Sequence, residues 1–86
     1  MVEAIVLVSA APSHLASLGR ALADVAGVSA AYSVAGDEDF VAVVRVVNHE
    51  ELADVVTKRI AALEGITGLR TLIAFRSYGN EDERYF

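Results

Sequence analysis

The sequence predicts an α+β domain in which a strand–helix–strand unit occurs twice, and three observations carry that prediction. Mainly apolar runs recur at residues 3–10, 28–35, 40–47 and 66–75, the third of them rich in valine and the second diluted by alanine and serine. Between the first and second runs, and again between the third and fourth, apolar residues recur at three- and four-residue spacing, which is one face of a helix. Each helical stretch ends at a glycine in matching surroundings, Val25-Ala26-Gly27-Val28 and Leu63-Glu64-Gly65-Ile66. In a small domain a βαββαβ order gives the ferredoxin-like, split βαβ sandwich, four antiparallel strands with both helices on one face.

The elements follow in order. EAIVLVSA (3–10) reads as the first strand. Pro12 and Ser13 open a helix, with Ser13 as its N-cap and Leu15, Leu18, Leu22 and Val25 on one face. Gly27 stops that helix, and VSAAYSVA (28–35) is the second strand. Gly36-Asp37-Glu38-Asp39 is a reversal: glycine admits the positive φ of a tight turn, and aspartates hydrogen-bond nearby backbone. FVAVVRVV (40–47) is the third and most strand-like run. Asn48 caps a second helix whose first turn holds Glu50 and Glu51, where the helix dipole favours acids, and whose apolar stripe is Leu52, Val55, Val56, Ile60 and Leu63. ITGLRTLIAF (66–75) is the fourth strand. The stretch 79–86 has no periodicity and is expected to be loose or to form a contact between subunits, leaving residues 1–78 as the domain proper.

Composition narrows the function. The 86 residues are 55% apolar, which argues for a packed core, and no apolar run reaches the ~20 residues of a membrane span. Twelve acidic residues against seven basic ones give a net charge of −5, unfavourable for contact with nucleic-acid phosphates. There is no cysteine, hence no disulfide, thiol nucleophile or thiolate metal site. Met1-Val2-Glu3-Ala4 lacks the basic start of a secretory signal, so a cytoplasmic protein is expected.

The third strand does not alternate. Phe40, Ala42, Val44 and Val46 face one way, and Val41, Val43 and Val47 join Arg45 on the other. An antiparallel sheet with one wet face normally alternates apolar with polar, so the helix-free face needs cover. The expected cover is the same face of a second copy, a sheet-to-sheet homodimer in the manner of a dimeric α+β barrel.

Residues able to carry chemistry are few. His14 and His49 stand in the first turns of their helices and read as solvated; neither belongs to a metal-ligand spacing. Ser13 and His14, adjacent on a helix, are expected to point apart. No glycine-rich phosphate loop or base-stacking strand is present. Two features remain: the acidic turn at 36–39, and Gly65-Ile66-Thr67-Gly68-Leu69-Arg70-Thr71 leading into the last strand. Together they offer carboxylates for an ammonium, and a guanidinium, hydroxyls and N–H groups for a carboxylate, the needs of a zwitterionic ligand. This fold can hold the two features far apart in one chain, so their meeting is expected across a subunit boundary.

The combination of Gly36-Asp37-Glu38-Asp39-Phe40, Arg45, Leu63-Glu64-Gly65-Ile66 and Leu69-Arg70-Thr71-Leu72-Ile73 resembles the effector domain of the Lrp/AsnC, or feast/famine, family of transcription regulators. That domain, also called RAM (regulation of amino acid metabolism), carries a Gly-Asp-aromatic-Asp turn and a later Thr-Arg-Thr motif. The resemblance spans residues 2–75. It implies a ferredoxin-like fold, dimers assembled into rings of eight or ten, and amino-acid effectors bound between dimers near those motifs, with no cofactor or metal. Carried over by position, the ligand-binding candidates are Gly36, Asp37, Glu38, Asp39, Leu69, Arg70 and Thr71, with Glu38 in place of the aromatic and Leu69 in place of the first threonine. Family regulators place a DNA-binding helix-turn-helix before this domain, whereas this sequence begins at the first strand, as stand-alone RAM proteins do. The implied function is non-catalytic sensing of an amino acid, acting on transcription indirectly, through mixed assembly with full-length regulators. Two alternatives stay open: a small dimeric α+β barrel enzyme of the cofactor-free monooxygenase or isomerase type, and a purely structural oligomerisation module.

Overall fold

The computed structural model describes residues 1–79. The expected loose or contact-forming tail lies, from Asn80 onward, outside the described residues. The chain runs β1 (Val2–Ala10), a 3-10 turn (Pro12–His14), α1 (Leu15–Ala23), β2 (Val28–Ser33), β3 (Phe40–Val46), α2 (His49–Asp54) and β4 (Ile66–Ile73). All pairings are antiparallel, in the order β2-β3-β1-β4.

That order corrects one expectation. The sheet is open and not closed into a barrel: β2 and β4 are its two edges, each with a single neighbour. Four strands of six to nine residues cannot curl far enough to pair their own edges, since an interior that just holds side chains needs about eight strands. The ferredoxin-like order and the four-stranded sheet stand; the barrel does not.

Register assigns the faces. Ala4, Val6 and Val8 of β1 and Phe40, Ala42, Val44 and Val46 of β3 lie under the helices and are buried against Leu18, Leu22, Leu52, Val55 and Ile60. On the other face the rows are Tyr32–Val41–Leu7–Arg70 and Ala30–Val43–Ile5–Leu72, read across β2, β3, β1 and β4. Tyr32 at 46% and Leu72 at 53% keep much of their surface in solvent, so this face is apolar and uncovered in the single chain. A shallow depression of about 340 Å³ lies on it between Glu3, Ile5, Tyr32, Val41, Val43 and Arg76.

Local signals explain the helix ends. Ser13 does not cap α1; the chain enters through a 3-10 turn with Pro12 at its start and no side-chain cap. Asn48 does cap α2: its side-chain oxygen accepts from Glu51 N–H at 2.8 Å, while Glu51 Oε1 accepts from Val47 N–H at 3.2 Å. Asn48→Ala removes the first of these bonds and is expected to cost about 1 kcal/mol, seen as an earlier midpoint in urea with an unchanged slope. After Asp54 the second helix widens to π geometry over Val55–Ile60, and Ala61 N–H reaches back five residues to Val56 O at 3.2 Å. Arg59 near the end of that turn donates to Ala26 O at 2.8 Å, tying the second helix to the bend after α1. Both helices hand over to the next strand through a glycine at positive φ, Gly27 at 101° and Gly65 at 93°.

Candidate ligand site at the turn end of the sheet

The acidic turn and the start of β4 meet within one chain. Val8, near the end of β1, pairs with Phe40 on one side and Leu69 on the other. The turn before Phe40 and the residues around Leu69 are therefore two strand spacings apart, about 10 Å, a gap that two long side chains close. Arg70 Nη2 lies 3.3 Å from Glu38 Oε1 across it. The expectation that these features meet only across a subunit boundary is corrected by this contact. Because β1 is central, its two neighbours deliver their ends to the same edge of the domain.

The candidate residues divide by what they touch. Gly36 sits at φ 148° at the apex, in open surroundings. Asp37 is exposed, and among the described residues no hydrogen bond or ion pair is drawn to its carboxylate. Asp39 works within the fold: its N–H donates to Val8 O at 2.9 Å, its carbonyl accepts from Val34 N–H at 3.0 Å, and its Oδ2 accepts from Ala10 N–H at 2.8 Å. Ala10 needs that acceptor because the β1–β4 register shifts at Ser9/Ala10, displacing its N–H from the regular ladder. Leu69 packs against the core under the helices.

Arg70 and Thr71 are adjacent on a strand and so face opposite ways. Arg70 pairs with Leu7 on the helix-free face. Thr71 pairs with Val6 on the helix side, where it lines a groove of about 280 Å³ with His49, Leu52, Ala53, Val56, Thr57 and Ile73. The structure thus brings together Glu38 and Arg70, leaves Gly36 and Asp37 beside Glu38 in the exposed turn, and commits Asp39, Leu69 and Thr71 elsewhere. The groove was not anticipated; the two-residue period of β4 is the signal that separates Thr71 from Arg70, while the π-helical turn that shapes its other wall leaves no mark in the residue pattern.

Other reactive groups do not converge. Ser13 Oγ lies 3.1 Å from His14 Nδ1, closer than adjacent helical residues would be, because the 3-10 turn swings them together; the contact is exposed. His14 Nε2 is 4.0 Å from Glu64 Oε2, and among the described residues no three His, Asp or Glu side chains are placed to share a metal.

Comparison with known proteins decides the family. A family model described as the Lrp/AsnC ligand binding domain matches residues 3–83. The chain belongs to the Lrp/AsnC ligand-binding domain family. Among solved structures, TTHA0845 from Thermus thermophilus is 44% identical, with a TM-score of 0.87, 93% of this chain covered and 100% of that one. The leucine response regulatory protein LrpA of Mycobacterium tuberculosis is 28% identical over 92% of this chain and 53% of its own, with a TM-score of 0.78. A feast or famine regulatory protein from M. tuberculosis, complexed with L-methionine, is 27% identical over 94% of this chain and 54% of its own, at a TM-score of 0.79. The chain spans about half the length of those two regulators. A comparison with curated proteins returns no match. As an Lrp/AsnC domain it is a non-catalytic, amino-acid-sensing and assembly module, which decides against the barrel-enzyme alternative.

Proposed function

We propose that this Lrp/AsnC domain binds an α-amino acid where the 36–39 turn meets Arg70, and that self-association accompanies binding. One observation carries the reading: the guanidinium of Arg70 reaches the acidic turn at an exposed end of the sheet, its Nη2 3.3 Å from Glu38 Oε1. Asp37 then holds the ligand ammonium, and Arg70 and nearby N–H groups its carboxylate, a charge-assisted pairing suited to a zwitterion. The L-methionine complex of a relative at 27% identity supports the ligand class. Ile5, Leu7, Tyr32 and Leu72 on the uncovered face support a homodimer in which a second copy excludes water from them. Assembly of such dimers into octamers or decamers, and mixed assembly with full-length regulators, would carry the ligand signal to transcription. Among the described residues no helix is long and apolar enough to cross a membrane, in keeping with a cytoplasmic site of action.

Native mass spectrometry combined with thermal melts in each of the twenty protein amino acids tests this. A ligand that binds only the folded assembly stabilises it by about 2.7 kcal/mol at a hundredfold excess over Kd. The expected result is a higher melting temperature and one added amino-acid mass per chain for a subset of the twenty. No shift and no adduct with any of them would sink the ligand reading, and a monomer at all concentrations would sink the assembly reading.

A further inference from the structure

Arg70 is the cation that the proposed site offers to a ligand carboxylate, yet within the chain its Nη2 already faces a carboxylate, Glu38 Oε1, at 3.3 Å. The two partners are unequally placed. The Glu38 side chain is 25% exposed and lies against the turn, whereas that of Arg70 is 68% exposed and reaches over from β4. Asp37 is one residue away and, among the described residues, has no partner drawn to its carboxylate, while Asp39 is bound to Ala10 N–H at 2.8 Å. Of the three acids in the turn, then, one is structural, one is open to solvent and one occupies Arg70.

We propose that Glu38 is a tethered competitor that sets the affinity threshold of the amino-acid site; the proposal rests on the reading of that site given above. Glu38 engages one of the two N–H groups of Nη2 and so blocks one of the bidentate forks of the guanidinium, while its negative charge opposes a second carboxylate at the other. Because Glu38 is part of the same chain, it meets Arg70 at an effective concentration in the millimolar range without any ligand being present. An arginine held closed for part of the time lowers the apparent affinity of every carboxylate ligand by the fraction that is open. Weak or incidental carboxylates then stay below occupancy at their working concentrations. An α-amino acid passes the threshold because its ammonium gains Asp37 at the same moment. Competition acts on the carboxylate alone, so it makes no difference to a ligand in which that group has been replaced by an amide.

Glu38→Gln keeps the shape of the side chain and removes its charge. An exposed ion pair is populated at most roughly fivefold over its open form, so E38Q is expected to tighten the Kd of each binding amino acid by about two- to sixfold. The test titrates wild type, E38Q, E38A and D37N with each of the twenty protein amino acids by calorimetry, using the carboxamide of any that binds as the control. E38A repeats the result if glutamine itself disturbs the turn. Tighter binding in E38Q and E38A, no gain for the carboxamide, and weaker binding in D37N support the proposal. Binding by wild type with no gain in E38Q and E38A overturns it and leaves the site reading standing. An equal gain in D37N, or for the carboxamide, overturns it in favour of a general charge effect. No binding by any of the four proteins removes the site reading and the proposal together.

Discussion

Gly65→Ala is expected to lower the melting temperature by roughly 8–16 °C, an effect of about 2 kcal/mol in a domain of this size. Two causes add. Gly65 sits at φ 93°, where an L-residue is strained whatever surrounds it. A Cβ placed there also runs into the Cβ and Cγ of His14. The collision is with an atom attached directly to the backbone, so no rotamer change relieves it, and the turn before α1 must move instead. It cannot move freely, because Ala11 N–H donates to Gly65 O at 2.8 Å and joins the same two segments. This makes a specific pattern. His14→Ala in the Gly65→Ala background leaves the Cβ overlap in place and does not rescue stability. His14→Gly removes the overlap and recovers part of it, leaving the cost of the positive φ. Melts of the four proteins at one chain concentration separate the two terms, since self-association would otherwise shift them. Rescue by His14→Ala would show that the imidazole, and not the backbone approach, is what glycine accommodates.

The same glycine shows what the residue pattern could tell. Gly27 and Gly65 end matching words in two repeats, and that symmetry is enough to place both helix ends and the βαββαβ order. Asn48 is readable as a cap because a cap is a local matter, decided within three residues. Ser13 reads as a cap and is not one for the converse reason: Pro12 at the start of the turn selects a 3-10 entry, and the hydroxyl lies beside His14 rather than over a free N–H. The expectation of a dimeric barrel rests on apolar residues on both faces, but two-faced apolarity says only that a face wants cover and carries no information on closure, and the sheet is open with β2 and β4 at its edges. The site is half legible. Residue types identify the acidic turn and Arg70, yet their meeting within one chain depends on β1 being central, a property of strand order and not of any local run. Thr71 is separable from Arg70 by the two-residue period of β4. The commitment of Asp39 to Ala10 has no such signal, because it arises from a register shift at Ser9/Ala10 twenty-nine residues away.

That commitment leads to the second large effect. Asp39→Ala is expected to cost about 1.5–3 kcal/mol, the range for losing a hydrogen bond to a charged acceptor. In melting temperature this is a fall of roughly 6–24 °C. The two backbone bonds of residue 39, to Val8 O and from Val34 N–H, survive the substitution; only the bond from Ala10 N–H at 2.8 Å is lost. Its loss leaves a half-buried N–H at the bulge without a protein partner and loosens the turn from the end of β1. Asp39→Asn keeps an acceptor oxygen at the same position and is expected to cost about 1 kcal/mol or less, the value of a neutral bond relative to a charged one. Amide hydrogen exchange at Ala10 reads the contact directly: exchange is much faster in D39A than in D39N. The pair of variants also separates a role in the fold from a role in ligand binding at position 39. If Asp39 serves the fold, amino-acid binding falls in D39A in proportion to the lost protection at Ala10 and is retained in D39N. If D39N kept wild-type protection and stability but lost binding, the carboxylate would be a ligand contact in its own right, and the bond to Ala10 would be how the protein holds it ready.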